Sequence, residues 1–160
     1  MSSYAFAYGL LNNNKPIKRY TLNDIYPCNV DLLVSYIKDK INVDYIWKNN
    51  LEIDFTENYD LTFIDTFHVY GQLKRELAKF SKITNKYIIM HDTTIDEWYG
   101  ESIRGGRDGV EESLFTGFPL NEILRGLWPA IEEFLSENHE WQLHERFTNN
   151  NGLTILKRTF

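Results

Sequence analysis

The sequence has almost no cysteine, no basic block and no long apolar run, and each shortage removes a class of function. The single Cys28 excludes an internal disulfide and a thiolate metal cluster. A small buried or half-buried residue accounts for it better than a nucleophile does. The net charge is -6 and the pI near 5.2, so there is no footprint for a nucleic-acid backbone. A small nucleotide ligand stays open, because it needs a site and not a charged face. The N-terminal run YAFAYGLL lacks a basic flank and is too short to cross a bilayer, and no later run is longer. These absences lead to an expectation of a cytoplasmic protein that binds neither membrane nor nucleic acid.

What is present is a core. Hydrophobic residues make up 42% of the 160 residues and aromatic residues 15%. That suits one domain of ordinary size, 1–160, with large side chains in its interior or on a binding surface. Ser2 to Leu11 reads as a helix ended by NNNKP. A strand follows within Ile17 to Pro27, stopping near Asp24. NVDLLVSYIKDKI has helical spacing at Leu32, Leu33, Tyr36, Ile37 and Ile41, with Asn29 as a cap. VDYIWKNN is a strand, YDLTFIDT another, and YGQLKRELAKFSKI a helix with Leu73, Leu77 and Phe80 on one stripe. KYIIMHDT is a nearly continuous apolar run, as in strands covered on both faces. Thr94 to Pro119 is glycine-rich and reads as a long irregular segment with one helical turn at most, a mobile lid over 94–119. Within it, Trp98 and Tyr99 read as packing the lid down rather than stacking on a substrate. LNEILRGLWPAIEEFLSEN is a helix that Pro129 kinks or restarts. WQLHERFTN and GLTILKRTF form an antiparallel hairpin around NNNG.

Alternation of strands and helices argues for an open α/β sheet. Ligands of such sheets lie beyond the carboxyl ends of the strands. Asp24, Asp65, His91 and Asp92 all stand at or just past such an end. Asp65 and Asp92 together could hold a hard divalent cation such as Mg²⁺. His68, three residues past Asp65, could be a ligand or a general base. His91 reads as a structural hydrogen-bonding residue, because neighbours on a strand point to opposite faces. Other readings stand beside these. Asp65 could cap the following helix, Asp92 could organise a turn with Thr93 or Thr94, and Asp24 could belong to its own turn.

YDLTFIDTFHVYGQLKREL together with KYIIMHDT resembles class I S-adenosylmethionine-dependent methyltransferases. It is most similar to the cephalosporin hydroxylase-like or macrocin O-methyltransferase-like branch. The resemblance implies a Rossmann-like, mostly parallel sheet with a C-terminal antiparallel hairpin. It implies cofactor contacts at Asp24 for the ribose, at Asn50 and Leu51 near the adenine, and at Asp65. It implies catalytic roles for Asp65, His68 and Asp92, with Asp65 and Asp92 holding any Mg²⁺. In that family a first strand with a glycine-rich loop precedes the helix matched by SSYAFAYGLL. This chain begins inside that junction, so the expected sheet lacks its usual first strand, and three outcomes follow. The chain is part of a longer protein, or the second strand pairs directly with the fourth, or another chain fills the gap as in a homo-oligomer. The function expected is methyl transfer to an oxygen of a small-molecule or sugar acceptor. The alternative is a truncated, non-catalytic relic acting as a binding or assembly module. A metal-dependent hydrolase ranks behind both.

Overall fold

The computed structural model describes residues 2–15 and 18–159. The chain divides into two compact units, Met1–Asp54 and Phe55–Phe160, and each builds its own core.

The first unit holds α1 (Ser2–Leu11), β1 (Arg19–Asp24), α2 (Asp31–Ile37), β2 (Asn42–Trp47) and a short 3-10 turn over Asn50–Glu52. β1 and β2 are parallel, paired from Arg19↔Asn42 to Asp24↔Trp47. Parallel strands need a crossover, and α2 supplies it. Its helical spacing brings Leu33 and Ile37 inward against Ala7, Leu22 and Ile41. Asn29 accepts a hydrogen bond from the Asp31 amide (3.0 Å), while the capping position itself falls to Val30, whose side chain caps nothing. Cys28 is exposed, against the expectation of burial. It lies in the turn that follows β1, with Sγ 3.3 Å from Asp24 Oδ2 and outside the buried cluster of Ala7, Leu22, Leu33, Ile37 and Ile41.

The second unit holds β3 (Tyr59–Ile64), α3 (Tyr70–Phe80), β4 (Thr84–His91), α4 (Glu101–Arg104), α5 (Gly109–Thr116), α6 (Leu120–Leu124), α7 (Trp128–Glu137), β5 (Trp141–Phe147) and β6 (Leu153–Arg158). Its sheet runs in the order β3-β4-β6-β5. The core is one layer of side chains: Ile64, Ile88, Met90 and Leu156 from the strands meet Leu73 and Leu77 of α3 and Ile131 of α7. Each such side chain contributes about 1.5–3 kcal/mol by leaving water. The hairpin β5–β6 turns through Asn150, Asn151 and Gly152 at positive φ (48°, 68° and 100°). These are the residue types that tolerate a left-handed backbone.

The α/β class agrees with the sequence reading, but the sheet departs from it. Of the four strand pairings, β1–β2 and β3–β4 are parallel while β4–β6 and β5–β6 are antiparallel, so the arrangement is mixed rather than mostly parallel. The strands fall into two sheets, and β1 does not pair with β3 among the described residues. β4 is less uniformly buried than its apolar run suggests: Ile88 and Met90 are buried, Tyr87 and Ile89 only partly.

Two local expectations also change. Residues 94–119 contain α4 and α5 where an irregular stretch was expected. Asp108 caps α5, its carboxylate accepting from the Val110 and Glu111 amides, and Gly117 ends the helix at φ 75°. The helix over 120–138, expected to kink or restart at Pro129, is restarted: it is two helices, α6 and α7, broken earlier than Pro129, at Arg125–Leu127. Gly126 explains the break. A Cβ there would stand 2.4 Å from the Asp96 carbonyl oxygen and 2.5 Å from that of Glu97. The backbone passes this close because the amides of Gly126, Leu127 and Trp128 donate to the carbonyls of Trp98, Asp96 and Glu97 (2.8–2.9 Å). Those bonds leave the intrahelical ladder unfilled, and α7 restarts with Pro129 in its first turn, where a missing amide costs nothing. No helix among the described residues is long and apolar enough to cross a membrane.

Candidate active site

β3 and β4 run parallel with Ile64 opposite Met90. The chain therefore leaves both strands at the same edge, at Asp65 and at His91–Asp92. Asp65 does not cap α3. The capping position is Val69, with no side-chain cap, so the Asp65 carboxylate is free for other partners.

His68, in the short β3–α3 connection, lies among four carboxylates. Its Nε2 is 3.3 Å from Asp65 Oδ1. Its Nδ1 is 3.2 Å from Asp92 Oδ2, 3.2 Å from Asp96 Oδ2 and 3.0 Å from Glu101 Oε2. The side chain is 11% exposed, and neither ring nitrogen has an aligned hydrogen bond. Burial opposes a charged ring, but the contacts with Asp65 and Glu101 and the charge of Asp92 outweigh it. They raise the His68 pKa to about 10. Reciprocally, contact with His68 holds the Asp65 carboxyl below its usual range. Glu101 is pushed up by its burial but more strongly down by His68 and Arg107, to about 2. At neutral pH the centre of the cluster is an imidazolium.

Asp92 takes φ 58°, a left-handed backbone uncommon outside glycine. The strand ends there, and strict alternation of faces with it. His91 Nδ1 accordingly comes within 3.1 Å of Asp92 Oδ1 and 3.8 Å of Asp65 Oδ1. The turn that follows is closed by backbone, the Asp96 amide donating to the Asp92 carbonyl (3.1 Å). The Asp92 side chain is not consumed in making it: Oδ1 is buried and accepts no hydrogen bond.

Asp96 and Glu101 are members of the site that sequence reading passed over. They sit beyond β4 in the glycine-rich stretch, at spacings that match no single helix face. The available signal was acid density: Asp92, Asp96, Glu97 and Glu101 fall within ten residues of a strand end. Asp96 is wholly buried and takes a two-pronged contact from Arg104, Nε at 2.7 Å and Nη2 at 2.9 Å. Glu101 is paired with Arg107, and its amide donates to the His68 carbonyl (2.9 Å).

Two trios in the cluster bring ligand atoms within 4.8 Å of one another, Asp65–His68–Asp92 and His68–Asp96–Glu101. They differ in electrostatics. Asp96 and Glu101 are already neutralised by arginines. Among the described residues, Asp65 and Asp92 are paired with histidines, and Asp92 Oδ1 accepts no aligned hydrogen bond. That donor set suits a hard cation with oxygen preference.

The remaining predicted residues lie in the first unit. Asp24 ends β1, with Oδ1 accepting from the Tyr26 amide (2.9 Å) and Oδ2 3.3 Å from Cys28 Sγ. Asn50 is buried and opens the 3-10 turn past β2, and Asn49 caps it by accepting from the Leu51 amide (3.0 Å). Asp24, Asn50 and Leu51 thus follow the carboxyl ends of the parallel pair β1–β2.

No family model matches the sequence, and no curated protein matches it. Two solved structures of one enzyme share the fold. The N-methyltransferase NodS from Bradyrhizobium japonicum WM9 superposes with a TM-score of 0.54 at 13% identity, over 88% of this chain and 73% of that one. The same enzyme in complex with S-adenosyl-L-homocysteine gives 0.54 at 14% identity, over 89% and 67%. The chain therefore has an α/β fold similar to that of a methyltransferase solved with the product of S-adenosylmethionine.

Proposed function

We propose that the chain transfers a methyl group from S-adenosylmethionine to an oxygen of a small-molecule or sugar acceptor. The observation that carries this reading is the meeting of Asp65, His68 and Asp92 past the ends of two parallel strands, in a fold of this kind. The cofactor supplies an electrophilic methyl group on a sulfonium, so the protein's task is orientation and proton removal. In the first unit, Asp24 keeps lone pairs for ribose hydroxyls after serving its own turn, and Asn50 and Leu51, in the turn past β2, are the residues that the resemblance assigns to the adenine.

A divalent cation such as Mg²⁺ on Asp65 and Asp92 would supply charge stabilisation for the acceptor oxygen. His68 handles the proton. Three carboxylates crowd Nδ1 and keep it protonated, so exchange falls to Nε2, on the Asp65 side. That nitrogen would take the acceptor hydroxyl's proton, and S-adenosylmethionine, when bound, would supply the methyl group that the acceptor oxygen receives. The ring can accept a proton only after losing one. Neutralising any of the surrounding acids moves its pKa down from about 10 towards the pH of the reaction.

Calorimetric titration with S-adenosylmethionine, with and without Mg²⁺, tests the reading. Micromolar binding is expected. A folded chain that binds none overturns it. The second reading, a non-catalytic binding or assembly module, draws on the split of the strands into two sheets, and a dimer without cofactor affinity is its signature.

A further inference from the structure

We propose that the cleft between the loop after β4 and α4 binds an uncharged ring, aryl or sugar, beside the His68 cluster. Methylation of a hydroxyl on that ring rests on the reading above; the binding itself does not.

The cleft has a volume of about 300 Å³, and its walls include Ile95, Trp98, Tyr99, Ile103, Glu97 and Arg104. That is the small end of ligand pockets, enough for one substituted ring and too little for an extended chain. Trp98 and Tyr99 do not pack this segment down as expected: they are 53% and 70% exposed, beside Ile95 at 43% and Ile103 at 46%. Four large apolar side chains around one hollow gain by being covered, and indole and phenol faces suit an aryl ring or the C–H face of a sugar. The backbone beneath them is anchored. The Gly126 amide donates to the Trp98 carbonyl (2.9 Å) and the Gly100 amide to that of Leu124 (3.1 Å). The aromatic faces are thus presented without a large ordering cost.

Charge selects the class of ligand. Glu97 is held 3.0 Å from Arg146 Nη2, and Arg104 is spent on Asp96. Both charged walls are already compensated, so an ionic ligand would lose hydration and find no free partner. Arg104 also fixes the location. It touches Asp96, whose Oδ2 is 3.2 Å from His68 Nδ1, so a ring against that wall is two contacts from the imidazole.

The test is titration of the full chain with catechol and with methyl β-D-glucopyranoside, followed by ligand-observed NMR. Binding of either is expected, about three- to tenfold weaker in Trp98→Ala and in Tyr99→Ala and unchanged in Trp47→Ala, whose exposed indole lies in the other unit. Catechol alone identifies an aryl ligand and the glucoside alone a sugar. Three results overturn the proposal: neither probe binds, both cleft variants bind as the parent does, or benzoate or benzylammonium binds as tightly as catechol. S-adenosylhomocysteine is titrated alongside. Its binding without either probe sinks only the cleft. Probe binding without it sinks only the methyl-transfer reading.

Discussion

The two units each contain a pair of parallel strands with an acid at the carboxyl end, yet the acids are in different states. Asp24, after β1, has one carboxylate oxygen on the Tyr26 amide and the other near Cys28. Its neighbourhood is a turn that would exist without any ligand. Asp65 and Asp92, after β3 and β4, face two histidines, and Asp92 keeps a buried oxygen without a donor. Topology brings both sets to strand ends. What separates them is local: the first carboxylate is satisfied by its own chain, and the second pair by groups whose charge can change. A strand-end position is therefore a weak sign of chemistry, and an acid there that faces titratable groups is a stronger one.

The sharpest way to break that contrast is to remove the acids one at a time. Asp65→Ala and Asp92→Ala should each lower methyl transfer by about a hundredfold or more, the scale of a lost charge-stabilising contact, with the circular dichroism spectrum unchanged. Asp24→Ala should weaken cofactor affinity and leave the rate at saturation nearly intact. Full activity in Asp65→Ala, or equal losses in all three, would dissolve the distinction.

The cores sharpen it next. Leu77 is wholly buried in a cluster of thirteen described residues, and Leu33 belongs to one of five. Leu77→Ala should cost about 3–5 kcal/mol and Leu33→Ala about 2–3 kcal/mol, measured by urea unfolding. A larger loss at Leu33 would reverse the ranking of the two units.

The smallest effect is electrostatic. The folded-state pKa of His68 lies above its unfolded value. Its contribution to stability is full below about pH 6.5 and is lost as pH rises through about 10. Glu101 works the other way: its contribution is present above about pH 4.5 and is lost as pH falls through about 2. In metal-free buffer, parent and His68→Gln should differ most between about pH 5 and 6.5, and the difference should shrink towards pH 10. A difference that grows with pH would contradict the cluster's charge state.

Much of this could be read from the residues. Apolar runs located β3 and β4, and helical spacing located α2 and α3, because burial imposes its period on the sequence. The convergence of Asp65, His68 and Asp92 was legible because an open sheet gathers its parallel strand ends at one edge. The roles of Asp96 and Glu101 were not, since they join the cluster through a turn whose geometry depends on the left-handed backbone at Asp92 and on bonds to 126–128. Glycine density hid α5, although Asp108 and Gly117 mark its two ends in the expected way. Pro129 signalled a kink or restart in the helix over 120–138, but the cause of the break was hidden, because Gly126 answers to the carbonyls of Asp96 and Glu97, some thirty positions earlier in the chain.

The backbone at Asp92 restricts which residues can occupy that position. Asparagine and glycine share the tolerance for φ 58°, and valine or isoleucine there would have to unmake the turn. Asparagine keeps the outline and loses the charge. Glycine keeps the turn and loses the side chain. Position 92 can therefore be varied along one axis at a time, which makes it a natural hinge for redesign: chemistry can be altered there while the path of the chain out of β4 stays the same.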